Sequence, residues 1–218
     1  MRVPPGFFLV LVLAPGFRLN DKIWQNRLVL GVTGASGSIY GARLLRHLRA
    51  SGLHTHLIAS RTADQVCRFE GHPLPRDLPE GSEGLPGSVV RHEEDNFFAP
   101  PASGSFRHRG MVIAPCSAGT VGRIAAGTAD TLLLRAADVC LKERRPLIVL
   151  LRETPLSRIH LRNLLEITEA GAIVVPASPG FYNKPSGIEE LVDGVLARVL
   201  DLLGLPSDIA PRWKDEAE

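Results

Sequence analysis

The sequence predicts a three-layer α/β fold, in which one parallel sheet carries helices on both of its faces. Short apolar runs alternate with longer segments of helical spacing along most of the 218 residues. One run, Pro146–Leu151 (PLIVLL), is apolar at nearly every position, as expected for a strand buried on both faces. Because a typical domain holds roughly 150 residues, this length favours a single domain.

The first half of the chain contributes two strand–helix pairs. Arg27–Thr33 (RLVLGVT) is a short apolar strand that ends in a glycine-rich turn, and Ile39–Ala50 follows with helical spacing. His54–Ala59 is predicted as the second strand, and Thr62–Glu70 as a helix opened by a threonine cap. Gly71–Pro86 is rich in glycine and proline, so it is predicted to be a loop.

The second half repeats the pattern and adds the remaining strands. Met111–Ala114 (MVIA) is a third strand and Pro146–Leu151 a fourth. Two helices are predicted between them, and the chain then continues through a helix closed by Gly171, a fifth strand and a last helix. These elements are, in order, Thr120–Ala126, Asp130–Arg144, Leu156–Ala170, Ala172–Val175 and Ile188–Leu203.

The first residues differ in character from the rest. The apolar run Phe7–Ala14 is far shorter than the ~20 residues that span a bilayer. Nearby prolines and the lack of an A-x-A cleavage site argue against a signal peptide, although export is the alternative. We therefore interpret residues 1–26 as an extension outside the core, 27–213 as the domain and 214–218 as a tail.

Charge and cysteine content narrow the class of protein. A net charge of +2 gives no reason to expect nucleic acid or an anionic membrane as a partner. Cys67, Cys116 and Cys140 are widely spaced without a CxxC motif, so neither a disulfide framework nor a zinc site is expected. These features favour the reducing cytoplasm.

Small and hydroxyl residues follow three predicted strands. Gly34, Ala35 and Ser36 follow the first strand, Ser60 ends the second, and Ser117–Thr120 (SAGT) follow the third. The carboxyl ends of parallel strands lie at the same edge of the sheet, and open α/β sheets bind their ligands at that edge. Glycine lets backbone approach a phosphate or a ring, while helix starts offer free N–H groups. The alternative is that these residues only cap helices and tighten turns.

Charged residues collect near the same edge. Arg152 and Glu153 follow the fourth strand, where a partly buried carboxylate is able to move protons, or where the two form only an ion pair. Lys142 lies in a basic turn that is otherwise solvated. Tyr182 and Arg198 offer a hydroxyl and a guanidinium suited to a phosphate monoester. The apolar loop Asn96–Ser105 is expected to line a pocket or a subunit contact.

Together these segments resemble the UbiX family of flavin prenyltransferases. The resemblance runs from about Arg27 to Trp213 and rests on the phrases VTGASG, APPASGSF, MVIAPCSAGT, RAADVCLKERRPLIVLLRETP and PASPGFYNKP. It implies a Rossmann-like or flavodoxin-like sheet and a homododecamer with flavin at subunit contacts. It also implies metal-independent transfer of a dimethylallyl group from dimethylallyl phosphate to N5 and then C6 of reduced FMN. The product, prenylated FMN, would serve a UbiD-type decarboxylase, one of which acts in ubiquinone biosynthesis.

The resemblance assigns roles to individual positions. The matched flavin-binding positions are Gly34, Ala35, Ser36, Ser60, Ser117, Ala118, Gly119, Thr120 and Arg152. The matched substrate positions are Tyr182, Arg198, Lys142 and Arg135. Ser36, Glu70 and Glu153 match positions associated with proton movement, and Lys142 is counted with this catalytic group as well. Ser38 and the stretch Asn96–Phe98 depart from the common pattern without removing a matched ligand.

Two alternatives use the same flavin differently. An FMN-dependent cysteine decarboxylase of the same superfamily would carry a PxMNxxMW motif, but the only methionines here are Met1 and Met111 and no such motif is present. A non-catalytic flavin carrier would not need Lys142, Tyr182 and Arg198 as a phosphate clamp. An anaerobic product assay separates these readings.

Overall fold

The computed structural model describes residues 23–75 and 86–212, which form one parallel sheet of six strands between two layers of helices. The strands are β1 (Arg27–Val32), β2 (His54–Ala59), β3 (Val89–His92), β4 (Met111–Cys116), β5 (Leu147–Leu151) and β6 (Ile173–Pro176). The helices are α1 (Ser38–Ala50), α2 (Arg61–Phe69), α3 (Ala118–Ala125), α4 (Leu132–Lys142), α5 (Arg158–Glu169) and α6 (Ile188–Leu202).

The strand order places a ligand crevice between β1 and β4. The order is β3-β2-β1-β4-β5-β6, and every neighbouring pair is parallel. The chain builds outward from β1 to β3, returns to add β4 on the other side of β1, and then builds outward again. In open α/β sheets, ligands bind outside the carboxyl ends of the strands where the order reverses in this way. The predicted fold class is confirmed.

Two separate cores hold the layers together. On one face, α1, α2 and α6 pack on the sheet, with Leu44 and Leu196 fully buried among them. On the other face, α3, α4 and α5 pack around residues such as Leu133 and Ile167. Along β1, Leu30 belongs to the first core and Val29 to the second, which is the alternation expected of a strand covered on both sides.

The sequence prediction missed β3 and misplaced the start of α2. Strand β3 has four residues, lies at the sheet edge beside β2, and is only partly buried, so it lacks the apolar run of the inner strands. Ser60 caps α2 by accepting a hydrogen bond from the Ala63 N–H, so the prediction of a threonine cap at Thr62 was wrong. Residues 76–85 of the predicted loop lie outside the described part.

Several predictions concern the ends of the chain and its cysteines. Ile23–Asn26 form a single 3₁₀ turn before β1, while the rest of the predicted extension and the tail from residue 213 lie outside the described residues.

Cys67, Cys116 and Cys140 are free thiols in the cores, and burial raises the pKa of each. Among the described helices, none is long and apolar enough to cross a membrane.

Candidate active site

The turn after β1 is fixed by close packing against α2. A Cβ atom on Gly34 would lie 2.4 Å from the Thr62 methyl carbon, so no larger residue fits without displacing α2. Gly37 has a φ of 93°, a left-handed conformation that favours glycine. Glycine at these two positions lets Ala35 and Ser36 turn across the edge of the sheet and begin α1.

Glu70 closes this turn from the end of α2. Its carboxylate accepts hydrogen bonds from the Gly37 N–H at 3.0 Å and from the Ser38 N–H at 2.7 Å. Burial alone would raise the pKa of Glu70, but the hydrogen bonds from Ser36, Ser38 and Gly37 outweigh it and lower the pKa to about 2. Glu70 is therefore an anion at the positive end of α1.

Arg152 joins the ends of three strands. Its backbone N–H donates to the Cys116 carbonyl oxygen at 3.0 Å, and its side-chain Nε donates to the Ser36 carbonyl oxygen at 2.9 Å. Glu153 follows it at the same edge, half-buried, with Oε1 accepting from the Thr154 N–H at 3.2 Å. Among the ion pairs of the described residues, none joins Glu153 to Arg152, so the expected alternative of an ion pair between them is not observed.

Serine hydroxyls at the edge cap the helices that follow β2 and β4. The Ser60 hydroxyl caps α2, and the Ser117 hydroxyl accepts from the Thr120 N–H at 3.3 Å and pairs with the Thr120 hydroxyl at 3.0 Å. The capping interpretation is thus correct for both serines. It does not exclude ligand binding, because Gly119 is exposed and a Cβ there would meet nothing closer than the Ser117 hydroxyl at 4.0 Å.

Thr33 is a site residue that the sequence reasoning did not single out. Its side chain is 3% exposed. The hydroxyl donates to the Pro115 carbonyl oxygen at 2.8 Å and accepts from the Ser117 N–H at 3.0 Å. Thr33 thereby fixes the turn after β1 against the turn after β4. Its position directly before Gly34, at the end of an apolar strand, was the available signal.

Arg135 and Lys142 lie elsewhere in the chain, on α4. Arg135 donates from Nε to the Ala102 carbonyl oxygen at 3.0 Å, and Lys142 pairs with Glu143 at 3.0 Å. Because α4 leads into β5, its last residue Lys142 lies at the amino end of the sheet, whereas Arg152 follows the carboxyl end of β5. Within one chain the structure therefore does not bring Lys142 to the crevice, while Arg135, in the first turn of α4, contacts Ala102 and Asp138.

Tyr182 and Arg198 line a cavity of about 430 Å³ beside α6. The segment around residues 207–212 forms its other wall. Neither Arg152 nor Glu153 lines this cavity in the described part of the chain. The predicted site residues therefore form three groups in a single copy: the crevice group, the α4 pair and the Tyr182–Arg198 cavity.

The fold and the crevice define a mononucleotide-binding α/β protein, and the model of the Flavoprotein family matches residues 17–200. The flavin prenyltransferase UbiX of Pseudomonas aeruginosa is 42% identical over 198 residues, which cover 87% of this chain and 95% of that protein. A solved UbiX protein (AnUbiX) in complex with FMN and dimethylallyl pyrophosphate superposes with a TM-score of 0.79 at 41% identity, covering 87% of this chain and 98% of that one.

A dodecameric FMN-dependent UbiX-like decarboxylase from Escherichia coli O157:H7 has a TM-score of 0.77 at 41% identity, with 86% of this chain and 99% of that chain covered. The chain therefore belongs to the UbiX family of flavin prenyltransferases. The resemblance noted in the sequence is confirmed.

The crevice residues fit FMN. The hydrogen-bond donors of the crevice are backbone N–H groups at the starts of α2 and α3, the hydroxyls of the capping serines, and the Arg152 guanidinium. Such N–H groups and dipole ends bind phosphate, and Arg152 supplies a fixed positive charge. The starts of α1 and α2 already donate N–H groups to carboxylates, since Glu70 accepts from Gly37 and Ser38 and Glu94 accepts from the Arg61 N–H at 2.9 Å. The start of α3 is therefore better suited to the phosphate of FMN.

Proposed function

We propose that this protein is a flavin prenyltransferase that joins the dimethylallyl group of dimethylallyl phosphate to reduced FMN. The observation that carries the proposal is the crevice itself, where Ser36, Arg152 and Glu153 meet at the switch between β1 and β4 in a chain of this family. The relatives favour this activity over cysteine decarboxylation and over a carrier role.

Reduced FMN, when bound, supplies the N5 and C6 atoms that accept the prenyl group. The residues of this chain that would hold it are the turn at Gly34–Ser36, Ser60, Ser117–Thr120 and Arg152. Arg152, anchored on the Ser36 carbonyl oxygen at 2.9 Å, keeps a cation beside this turn. A fixed cation costs no reorganisation when negative charge has to be stabilised.

The substrate phosphate is held by cationic and hydroxyl groups. Loss of phosphate from an allylic carbon leaves a delocalised cation and releases the phosphate as an anion. The site must therefore stabilise the departing phosphate. Tyr182, Arg198, Arg135 and Lys142 supply the donors for that anion in our proposal. Guanidinium and phosphate form charge-assisted hydrogen bonds that are about twice as strong as neutral ones.

We assign proton transfer to Glu153 and Ser36, and positioning to Glu70. With a pKa of about 2, the Glu70 carboxylate is a weak base at neutral pH and serves to orient Ser36 and the start of α1. Glu153 is half-buried at the strand end next to Arg152. A carboxyl group there is placed to protonate the departing phosphate or to receive the proton released after the second bond forms.

We also propose that the active protein is a homo-oligomer, namely a dodecamer. The crevice group, the α4 pair and the Tyr182–Arg198 cavity lie apart in one copy, so acting on one substrate requires residues of neighbouring copies. Exposed apolar side chains support association: Ile159, Leu161 and Leu165 on α5 are 68%, 55% and 58% exposed. The UbiX-like decarboxylase from Escherichia coli O157:H7 is dodecameric.

The product would be used by a UbiD-type decarboxylase in the cytoplasm, and neither nucleic acid nor a membrane is part of this proposal. The activity is tested by mixing the protein anaerobically with reduced FMN and dimethylallyl phosphate. A flavin heavier by one prenyl unit supports transfer, whereas unchanged FMN supports a carrier.

A further inference from the structure

One carboxylate in the Tyr182–Arg198 cavity holds two guanidinium groups. Asp201, one turn after Arg198 on α6, accepts from Arg198 Nη1 at 3.2 Å and from Arg212 Nη2 at 2.8 Å. All three residues line the cavity of about 430 Å³ together with Tyr182. Asp201 is 24% exposed, while Arg198 and Arg212 are 73% and 45% exposed.

Backbone contacts fix the segment that carries Arg212. The Asn183 side-chain amide donates to the Pro211 carbonyl oxygen at 3.0 Å, next to Tyr182. Arg212 Nη2 also approaches the Ser207 carbonyl oxygen at 3.4 Å. The loop after β6 and the segment after α6 are therefore in contact beside the cavity that both of them line.

The charge balance of the cavity favours an anion. Among the described residues that line the cavity, two guanidinium groups and one carboxylate carry a net charge of +1 beside Tyr182. Without Asp201 the two cations would repel each other, so this carboxylate allows them to lie together. A phosphate monoester with its two negative charges is complementary to such a pair of planar donors.

We propose that Arg212 is a further ligand for the phosphate of the allylic substrate and that Asp201 is the positioning residue for both arginines. The inference rests on the proposed function, in which Tyr182 and Arg198 bind this phosphate. It adds the Arg212 guanidinium to the donors already proposed for that phosphate, which are Tyr182, Arg198, Arg135 and Lys142.

The test measures dimethylallyl phosphate binding to the FMN-loaded protein by calorimetry, together with steady-state kinetics. Arg212→Ala should raise Kd and KM by about 10-fold to 100-fold, with kcat within about threefold and FMN affinity unchanged. Arg212→Lys should fall between wild type and Ala, because charge is kept but the planar donors are lost. Asp201→Asn should raise KM by about 3-fold to 10-fold, and Arg49→Ala, at the exposed end of α1, should match wild type.

The outcomes separate this inference from the proposed function. Wild-type transfer with unchanged Kd and KM in Arg212→Ala overturns the inference alone. Equal losses of substrate affinity, FMN affinity and thermal stability in the Ala and Lys variants also overturn it, because Arg212 would then only hold the segment. If wild type transfers nothing but binds dimethylallyl phosphate, and Arg212→Ala weakens that binding, the subsite stands while the proposed activity fails.

Discussion

Arg152 Nε donates a hydrogen bond to the carbonyl oxygen of Ser36 at 2.9 Å, although 116 positions separate the two residues in the chain. The contact links the turn after β1 to the end of β5 across the intervening strand β4. It sets a permanent positive charge beside the turn that is expected to contact the flavin. The position of this charge, rather than its presence alone, is what the fold contributes.

We expect Arg152→Lys to weaken FMN binding almost as much as Arg152→Ala. Lysine keeps the charge but lacks the Nε–H that reaches the Ser36 carbonyl oxygen, so the turn loses its anchor. Loss of a charge-assisted contact costs on the order of 1.5–3 kcal/mol, which is about 10-fold to 150-fold in Kd. Flavin fluorescence titration measures this, with Arg49→Ala as the control. A Lys variant with wild-type affinity would show that the hydrogen bond is dispensable.

Glu70→Ala is expected to destabilise the fold by about 1–2 kcal/mol, because it removes the acceptor for the N–H groups that begin α1. Glu70→Gln keeps one acceptor oxygen and should cost less. Since the pKa of Glu70 is lowered to about 2, its contribution is present above its ordinary pKa of 4.5 and is lost as the pH falls towards 2. Urea unfolding at pH 7 measures the difference. The exposed Glu169→Ala should stay within about 0.5 kcal/mol of wild type.

Buried histidines should make the protein sensitive to acid. His56 Nδ1 lies 2.8 Å from His92 Nε2, and the His56 and Phe106 rings are in edge contact. Burial is the largest cause that lowers the pKa of His56, and together with the neighbouring His92, His54, Arg27 and His108 it brings that pKa to about 3. Burial also lowers the pKa of His108 to about 4, with Arg145 acting in the same direction and the hydrogen bond to Gly110 opposing it.

Stability falls with falling pH because the histidines of the unfolded chain take up protons near pH 6.5, while those of the folded chain do not. Stability is therefore complete above pH 6.5 and falls as the pH drops towards 3–4. Each histidine contributes about 1.4 kcal/mol per pH unit, or about 2 kcal/mol from His56 alone at pH 5. His56→Gln should flatten the dependence of the unfolding free energy on pH, whereas Arg49→Ala, at the exposed end of α1, should not. An unchanged slope in His56→Gln would count against this account.

Glu153→Gln tests the proton role of the crevice carboxylate. Glutamine keeps the size and the acceptor oxygen but does not exchange a proton at neutral pH. Turnover should fall about 10²-fold to 10⁴-fold with FMN affinity nearly unchanged. If the Gln variant keeps wild-type turnover while Glu153→Ala loses FMN, Glu153 is structural.

The inner part of the fold could be predicted because buried parallel strands are apolar at every position, as in β5. The edge strand β3 could not be predicted, because its four residues (VVRH) form neither an apolar run nor a regular apolar–polar alternation. The turns at Gly34, Ser60 and Ser117 were predicted from small and hydroxyl residues at strand ends. The carboxylate of Glu70 on the start of α1, and the pairing of Asp201 with Arg212, depend on contacts between distant segments that no local pattern encodes.

The most direct test of the account is the mass of the flavin recovered after anaerobic incubation with dimethylallyl phosphate. Reduced FMN, the allylic phosphate and wild-type protein are combined without added metal, and the protein is then denatured and the flavin analysed by mass spectrometry. We expect FMN heavier by one prenyl unit from the wild type, and a strongly reduced yield from Glu153→Gln. Recovery of unmodified FMN from a wild-type protein shown to bind both reduced FMN and dimethylallyl phosphate would contradict it.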